Sequence, residues 1–409
     1  MRMFFILSLV LLLHAATGQE IVVPYRVSAI EWNLVEKYSK KKLLGPYFRI
    51  DYVEDSIYMV WKNSVVGLVH ASGKQLTEIK YSPLPTTKTF SDGMFPMKDQ
   101  DERIYFFDKT GRVAFEWKFD SPPFPYVYYN NGLLDAPVGF LDKKGKKVIP
   151  RYEHIAAAQF DDNGFCQVGK KEGNNVKWGV IDKKNKFIVP LKYAYLELED
   201  DHVLASHEAM RQEEAFDLKG RKIVKGNYDQ LKVFPSLGLY AYCKDGENYI
   251  YTLRRIKDNK EISDRYDEFR QVSKNRLLVG VDQKEWYIID SKGAVIAKLP
   301  AESPSTISSV FPERLAYTNM KGELCVSDAD GKTLFTLPED LSLVGDQHKD
   351  FYEVRNYKAN KAGCINLKGE WLVPLEYDFV KAFPELKLWR VRKGGIEYFI
   401  DEKGNKYTE

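Results

Sequence analysis

One short phrase recurs along this chain and constrains its fold more than any other feature. It consists of a few apolar residues, an Asp, two polar residues, a Gly and a second β-rich run, and it returns about every 37 residues. Clear copies begin at Val138 (VGFLDKKGKKVIPRYE), Trp178 (WGVIDKKNKFIVPLKY) and Ala362 (AGCINLKGEWLVPLEYD). A fixed period of this length is typical of propellers, solenoids and arrays, whose single units cannot bury a core alone. We therefore expect one extended repeat structure.

The repeat is phased on a tight turn. The Asp position is filled by His70, Asp108, Asp142, Asp182, Asp217, Asp290, Asp328, Asn366 and Asp401. The position three residues later is filled by Gly73, Gly111, Gly145, Asn185, Gly220, Gly293, Gly331, Gly369 and Gly404. Gly and, less readily, Asn adopt the positive φ that such a turn needs, and an Asp at its start can accept backbone N–H bonds. We therefore interpret these Asp residues as turn-forming and not catalytic.

A degenerate copy fits between Asp217 and Asp290, with Arg255 at the Asp position and Asp258 at the Gly position. It brings the number of units to ten, from Tyr47 to the C-terminus. A third strand, such as the one beginning at Gly164, should follow each hairpin, with a fourth if the linking segment pairs.

The predicted fold class is all-β, a tandem array of antiparallel meander repeats. Aromatic residues, which favour pleated sheets, make up 14% of the chain and agree with this prediction. Because propellers usually have four to eight blades, ten units favour an open, curved, solenoid-like array, and a large β-propeller is the alternative.

The N-terminus has the pattern of a signal peptide. Arg2 precedes an apolar run from Phe4 to Leu13 that is too short to span a bilayer, and small residues end the segment at Gly18. We expect residues 1–18 to be removed and the mature chain to be secreted or periplasmic, without a membrane span. Residues 19–46 do not fit the repeat and are expected to form a cap, with a short helix from Glu31 to Gly45, before an array covering residues 47–409.

Charge and cysteine content exclude some partners. A formal net charge of +3 argues against a nucleic-acid binder. Cys166, Cys243, Cys325 and Cys364 lie in predicted strands without metal or redox spacing. We expect the four cysteines to be buried free thiols, with Cys325 and Cys364 on opposite sheet faces. We expect the protein to be a monomer.

The phrase KWGVID from Lys177, together with VGFLD and AGCIN, resembles the WG-repeat family of bacterial proteins. The Trp-Gly pair itself survives at Trp178 and Gly179. The resemblance implies repetitive β structure in envelope or secreted proteins, and it implies no reaction and no catalytic residues.

No catalytic, cofactor-binding or metal-binding motif stands out. The sequence contains no GxSxG elbow, Walker loop, GxGxxG or HExxH motif. Carboxylate runs such as Glu199–Asp201 and Glu213–Glu214 are expected in loops. We therefore predict no enzyme, no cofactor and no metal.

Two functions remain open. The first is a non-enzymatic binding or scaffolding surface for an envelope protein, a peptide or a glycan, since repeat arrays present extended surfaces. The second is a propeller-type enzyme acting on polysaccharides, whose residues we would seek in the irregular stretch from His202 to Asp258.

Overall fold

The computed structural model describes residues 21–85, 87–117, 129–155, 160–207, 213–224, 226, 228–243, 250–282, 284–301, 307–310, 313–344 and 350–409. The predicted signal peptide, residues 1–18, lies outside them. The described chain forms eleven antiparallel sheets, and its helical elements are two short 3₁₀ turns, Pro235–Leu237 and Pro384–Leu386. Within these residues, no helix has the length and apolar character needed to cross a membrane.

Each sheet is one blade of a propeller, and the strands follow one another along the chain. Three blades have three described strands: blade 1 (β1 Val22–Ser28, β2 Glu31–Glu36, β3 Lys42–Tyr47), blade 2 (β4 Arg49–Glu54, β5 Ile57–Lys62, β6 Val65–His70) and blade 6 (β19 Tyr195–Leu198, β20 His202–Ser206, β21 Glu213–Asp217). Four strands form blade 3 (β7 Ser82–Pro83, β8 Met94–Lys98, β9 Ile104–Asp108, β10 Val113–Glu116), blade 4 (β11 Tyr129–Asn130, β12 Leu133–Ala136, β13 Gly139–Leu141, β14 Lys147–Pro150) and blade 5 (β15 His154–Ile155, β16 Phe165–Glu172, β17 Asn175–Asp182, β18 Phe187–Tyr193). Four strands also form blade 7 (β22 Gln230–Phe234, β23 Leu239–Cys243, β24 Tyr251–Arg255, β25 Glu261–Tyr266), blade 8 (β26 Glu268–Ser273, β27 Arg276–Val281, β28 Glu285–Ile289, β29 Val295–Leu299) and blade 9 (β30 Ser308–Val310, β31 Arg314–Thr318, β32 Leu324–Ser327, β33 Thr333–Leu337). The last two blades are blade 10 (β34 Leu341–Val344, β35 Phe351–Asn356, β36 Lys361–Asn366, β37 Trp371–Tyr377) and blade 11 (β38 Phe379–Phe383, β39 Leu388–Lys393, β40 Ile396–Asp401, β41 Lys406–Tyr407).

The Asp-to-Gly turn joins the third and fourth strands of a blade, as between β17 and β18. The strand beginning near Gly164 is β16, and it pairs with β17, in the blade of the following turn. The predicted three-stranded unit therefore combined a hairpin of one blade with a strand of the next blade. The linking segment does pair, because it supplies the first strand of the next blade, such as β15.

Packing between neighbouring blades explains the short apolar runs in the sequence. A middle strand such as β23 (LYAYC) is buried on both faces because a blade lies on each side of it. Every hydrophobic cluster combines residues of adjacent blades; Val180 of blade 5, for example, packs with Val203 of blade 6. Stability therefore comes from interfaces between blades and not from any single repeat.

The chain of interfaces closes on itself. One cluster combines Val23 of blade 1, Tyr58 of blade 2 and Leu388 of blade 11, and Arg26 forms a parallel bridge with Thr408. The molecule is thus a closed propeller of eleven blades, the large-propeller alternative of the sequence analysis. The open array is not observed.

The first blade was missed in the sequence. The expected helix from Glu31 to Gly45 is wrong, because this segment forms β2 and most of β3. Its turn follows Glu36 and is one residue longer than the Asp-to-Gly turns, with Lys40 at positive φ. The Asp-to-Gly phrase of the sequence therefore indicates ten units and not eleven.

Blade 1 also lacks, in the described residues, a counterpart of the first strand of the other blades. These first strands are innermost, since Tyr52 on β4 and Phe383 on β38 meet across the inner edge of blade 1, with ring centroids 6.1 Å apart. The inner wall is therefore interrupted where the ring closes.

The four cysteines are free and buried, as predicted. Cys325 packs toward blade 8 and Cys364 toward blade 11, on opposite faces of equivalent strands. Burial raises the pKa of both the Cys166 and the Cys364 thiols to about 12.

Candidate ligand-binding site

The repeated Asp residues are fully engaged in their turns. In each turn the side-chain oxygen accepts N–H bonds from the residues two and four positions later, as Asp142 does from Lys144 and Lys146, both at 2.9 Å. The same pattern holds for Asp108, Asp182, Asp217, Asp290, Asp328, Asn366 and Asp401. The repeat-turn residues are thus spread around the ring, and the structure does not gather them into one site.

The repeat glycines also allow close packing between blades, which the sequence did not reveal. They have positive φ, and several also lie against the preceding blade, so that a Cβ on Gly220 would be 2.3 Å from the carbonyl oxygen of Ile188. The remaining turn glycines are Gly73, Gly111, Gly145, Gly293, Gly331, Gly369 and Gly404. Gly179, beside Trp178, leaves space for the bulged strand β18, whose Val189 oxygen would be 2.9 Å from a Cβ.

The degenerate turn of blade 7 is built differently from the prediction. Asn259, and not Asp258, has the positive φ, and its N–H donates to the oxygen of Arg255 at 2.9 Å. The turn is therefore one residue longer. Asp258 accepts from the side chain of Arg255, also at 2.9 Å.

The interruption at blade 1 creates two neighbouring cavities that share Arg49 and Arg390. One, of about 390 Å³, lies among blades 2, 3 and 11 and includes Asp51 and Trp61. The other, of about 520 Å³, lies among blades 1, 2 and 11 and includes Glu397. We call these two cavities the closure site.

Asp51 organises the closure site. Its Oδ1 accepts from Arg49 Nε at 2.9 Å and from Arg49 Nη2 at 2.8 Å, and its Oδ2 accepts from Trp61 Nε1 at 2.9 Å. The Arg49 guanidinium lies 5.4 Å from the centre of the Trp61 ring, within the range of a cation–π contact. Alternation along β4 places Arg49 and Asp51 on one face of the strand.

Arg390 reaches the same carboxylate from blade 11. Its Nη1 is 4.0 Å from Asp51 Oδ1, and its Nε is 3.6 Å from Glu397 Oε1. This buried Nε has no hydrogen-bond partner among the described residues. The guanidinium is thus held between the carboxylates of Asp51 and Glu397.

Cations outnumber carboxylates around the closure site. Its lining includes Arg26, Arg49, Lys88, Lys381 and Arg390 against Asp51 and Glu397, with aromatic surface from Trp32, Phe48 and Trp61. Guanidinium groups bind carboxylate, sulfate or phosphate with charge-assisted bonds. The arrangement is therefore suited to holding an anionic ligand.

The two carboxylate runs that were expected in loops have different outcomes. Glu199–Asp201 do lie in a turn, where His202 Nδ1 is 2.8 Å from Asp201 Oδ1. The prediction that Glu213–Glu214 lie in a loop is wrong, because they begin strand β21, and Glu214 accepts a bond from Tyr193 at 2.9 Å. The described residues contain no group of three or more His, Cys, Asp or Glu side chains arranged to hold a metal ion.

Comparison with known proteins supports the repeat assignment. Residues 178–198 and 363–395 match the family model described as WG containing repeat, so the chain carries WG repeats in these segments. No curated protein matches the sequence.

Comparison with solved structures gives matches of low sequence identity. A crystal structure of the eukaryotic initiation factor is 13% identical, with 87% of this chain and 95% of that chain covered and a TM-score of 0.43. BamB from Moraxella catarrhalis is 11% identical, with 69% and 94% covered and a TM-score of 0.28. The computationally designed Ika8 protein is 13% identical, with 77% and 92% covered and a TM-score of 0.24.

Proposed function

We propose that this propeller is a non-enzymatic binding protein and that the closure site holds the acidic groups of a glycan. The observation that carries the proposal is the pair Arg49 and Arg390, which converge on Asp51 from two blades. A ligand carboxylate would bind the remaining guanidinium N–H groups, while Asp51 and Glu397 would accept bonds from sugar hydroxyls.

The polar character of the lining favours an acidic sugar over an apolar peptide. Charged side chains surround the cavities, so an apolar side chain entering them would desolvate these charges without pairing them. A sugar carries hydroxyl donors and acceptors around its ring and an apolar face that can lie against Trp61 or Phe48. Phe48 is 48% exposed and available for such a contact.

Isothermal titration with oligogalacturonate and with neutral galacto-oligosaccharide of equal length tests this function. We expect only the acidic oligomer to bind, with an affinity that falls as salt screens the charges. The Arg390→Gln variant should weaken binding by about tenfold or more, equivalent to the loss of one charge-assisted contact. Arg355→Gln, in the equivalent strand of blade 10, is the matched control and should bind as the wild type does.

Two results would contradict the proposal. Equal binding of the neutral oligomer, or an unchanged affinity in Arg390→Gln, would remove the role of the closure site. Release of new reducing ends from the oligomer would favour a polysaccharide-active enzyme instead.

We also propose that the protein acts outside the cytoplasm, in the periplasm or after secretion. The support is the apolar run from Phe4 to Leu13 with Arg2 before it. N-terminal sequencing of the exported protein should begin at Gln19, and retention of the whole N-terminus in the cytoplasm would contradict export.

A further inference from the structure

A further concave surface lies among the turns of blades 6, 7 and 8. It has a volume of about 710 Å³. Its apolar floor is formed by Ile223, Pro235, Leu237 and Ile256, and its rim carries Arg221, Lys222, Arg255, Lys257 and Lys292. We call this surface the blade 6–8 groove.

The apolar floor includes one repeat position at which the residue varies between blades. The residue after the turn-starting position is a lysine in several blades, and it bonds to the inner turn of the preceding blade, as Lys109 does to Asp55 and Lys183 to Asn131. In blade 7 this position is Ile256. The lysine contact is thereby replaced by an apolar surface.

The longer turn of blade 7 fixes this surface in place. The N–H of Ile256 donates to the oxygen of Gly238 at 2.8 Å, which ties the outer turn of blade 7 to its inner turn, Pro235–Leu237. Leu237 is buried beneath it. The floor is therefore a defined part of the fold.

The rim cations differ in how far they are neutralised. Arg221 pairs with Asp217 at 2.6 Å, and Arg255 pairs with Asp258. Lys257 and Lys292 are exposed and form no ion pair with any described residue. The groove thus presents uncompensated positive charge beside apolar surface.

We propose that the blade 6–8 groove binds an acidic peptide segment that also carries apolar side chains, supplied by a partner protein. Its carboxylates would pair with Lys257 and Lys292, and an apolar side chain would cover Ile256 and Ile223. Charge complementarity selects an acidic partner, and the apolar floor selects against a plain polyanion, which would leave that surface in water. The proposal goes beyond glycan binding at the closure site and uses none of its residues.

Fluorescence anisotropy with a labelled synthetic peptide, in which Asp and Glu alternate with Leu and Phe, tests the proposal. The Lys257→Glu/Lys292→Glu variant should bind it about tenfold or more weakly, since two attractive contacts become repulsive. Lys368→Glu/Lys403→Glu is the matched control, because these lysines are exposed at the same turn position in blades 10 and 11. It has the same net charge and should bind within about twofold of the wild type.

Two further probes test whether the groove prefers an acidic peptide with apolar side chains over other anionic ligands. A peptide with Ser in place of Leu and Phe, and vesicles of phosphatidylglycerol, should both bind much more weakly than the acidic-apolar peptide. Equal binding of either probe, equal losses in the two double variants, or no binding by the wild type would each overturn the proposal. Thermal melts of both variants should match the wild type, because all four substituted lysines are exposed.

Discussion

Lys37 of blade 1 and Glu402 of blade 11 form an ion pair at 2.9 Å although 365 residues separate them in the chain. The Lys37 side chain is fully buried, and its Nζ also donates to the oxygens of Leu386 and Lys387, each at 3.1 Å. Burial raises the pKa of the Glu402 carboxyl, but the bond from Lys37 outweighs this effect and lowers the pKa overall. The first and last blades are thus joined by a buried charge.

Replacing Lys37 should open this junction. Lys37→Met leaves two carbonyl oxygens and the Glu402 carboxylate without their partner, and we expect a loss of about 3–5 kcal/mol in the free energy of unfolding. Lys109→Met is the control at the same repeat position, where the ion pair is exposed, and should cost about 1 kcal/mol or less. Urea unfolding measures both, and equal losses would show that the buried junction adds nothing.

Gly220 and Gly404 occupy equivalent turns and should respond differently to alanine. Both have positive φ, but a Cβ on Gly220 would clash with Ile188, while a Cβ on Gly404 would meet nothing within 4 Å. Gly404→Ala should therefore cost about 1–2 kcal/mol for the backbone conformation alone. Gly220→Ala should cost roughly 1–3 kcal/mol more, since the two blades must move apart. Thermal denaturation distinguishes them, and equal melting temperatures would refute the close approach.

The carboxyl of Asp135 should make the free energy of unfolding depend on pH. Burial raises the pKa of its carboxyl to about 6, although the bond and the charge of Arg151 oppose this effect. The folded protein then holds the proton to a higher pH than the unfolded chain does. The stabilising contribution of this carboxyl is fully present below about pH 4 and is lost as the pH rises through 6.

Asp135→Asn removes this titration. Between pH 4 and pH 7 the free energy of unfolding of the variant should therefore rise relative to the wild type by at most about 3 kcal/mol. Urea midpoints of both proteins across this range provide the measurement. Parallel curves would show that Asp135 has an ordinary pKa in the folded protein.

The local parts of the fold were predictable because they depend on neighbouring residues. Asp142 and Gly145 mark a turn whose backbone N–H groups donate within the turn itself. The segment Glu31–Gly45 was wrongly predicted to be a helix because its Glu, Lys and Leu residues are good helix formers. Its structure is decided instead by the pairing of β2 with β1.

The closure site could not be predicted because its residues meet only when the ring closes. The spacing of Arg49 and Asp51 on a strand is a weak local signal, and Trp61 follows on the neighbouring strand. Nothing in the sequence links them to Arg390, which is far away along the chain. That link requires blades 1, 2 and 11 to share one core.

Closure of the ring is the central claim, and a designed disulfide tests it most directly. Arg26 on β1 forms an isolated parallel bridge with Thr408, the residue after β41, and bridged residues are separated by about 5 Å, which suits a disulfide. Because the native cysteines are buried, mild oxidation of Arg26→Cys/Thr408→Cys should give an intramolecular disulfide by mass spectrometry. Lys184→Cys/Thr408→Cys, with one thiol in blade 5, should stay reduced. Free thiols in the first variant, or cross-links formed only between molecules, would contradict a closed eleven-blade ring.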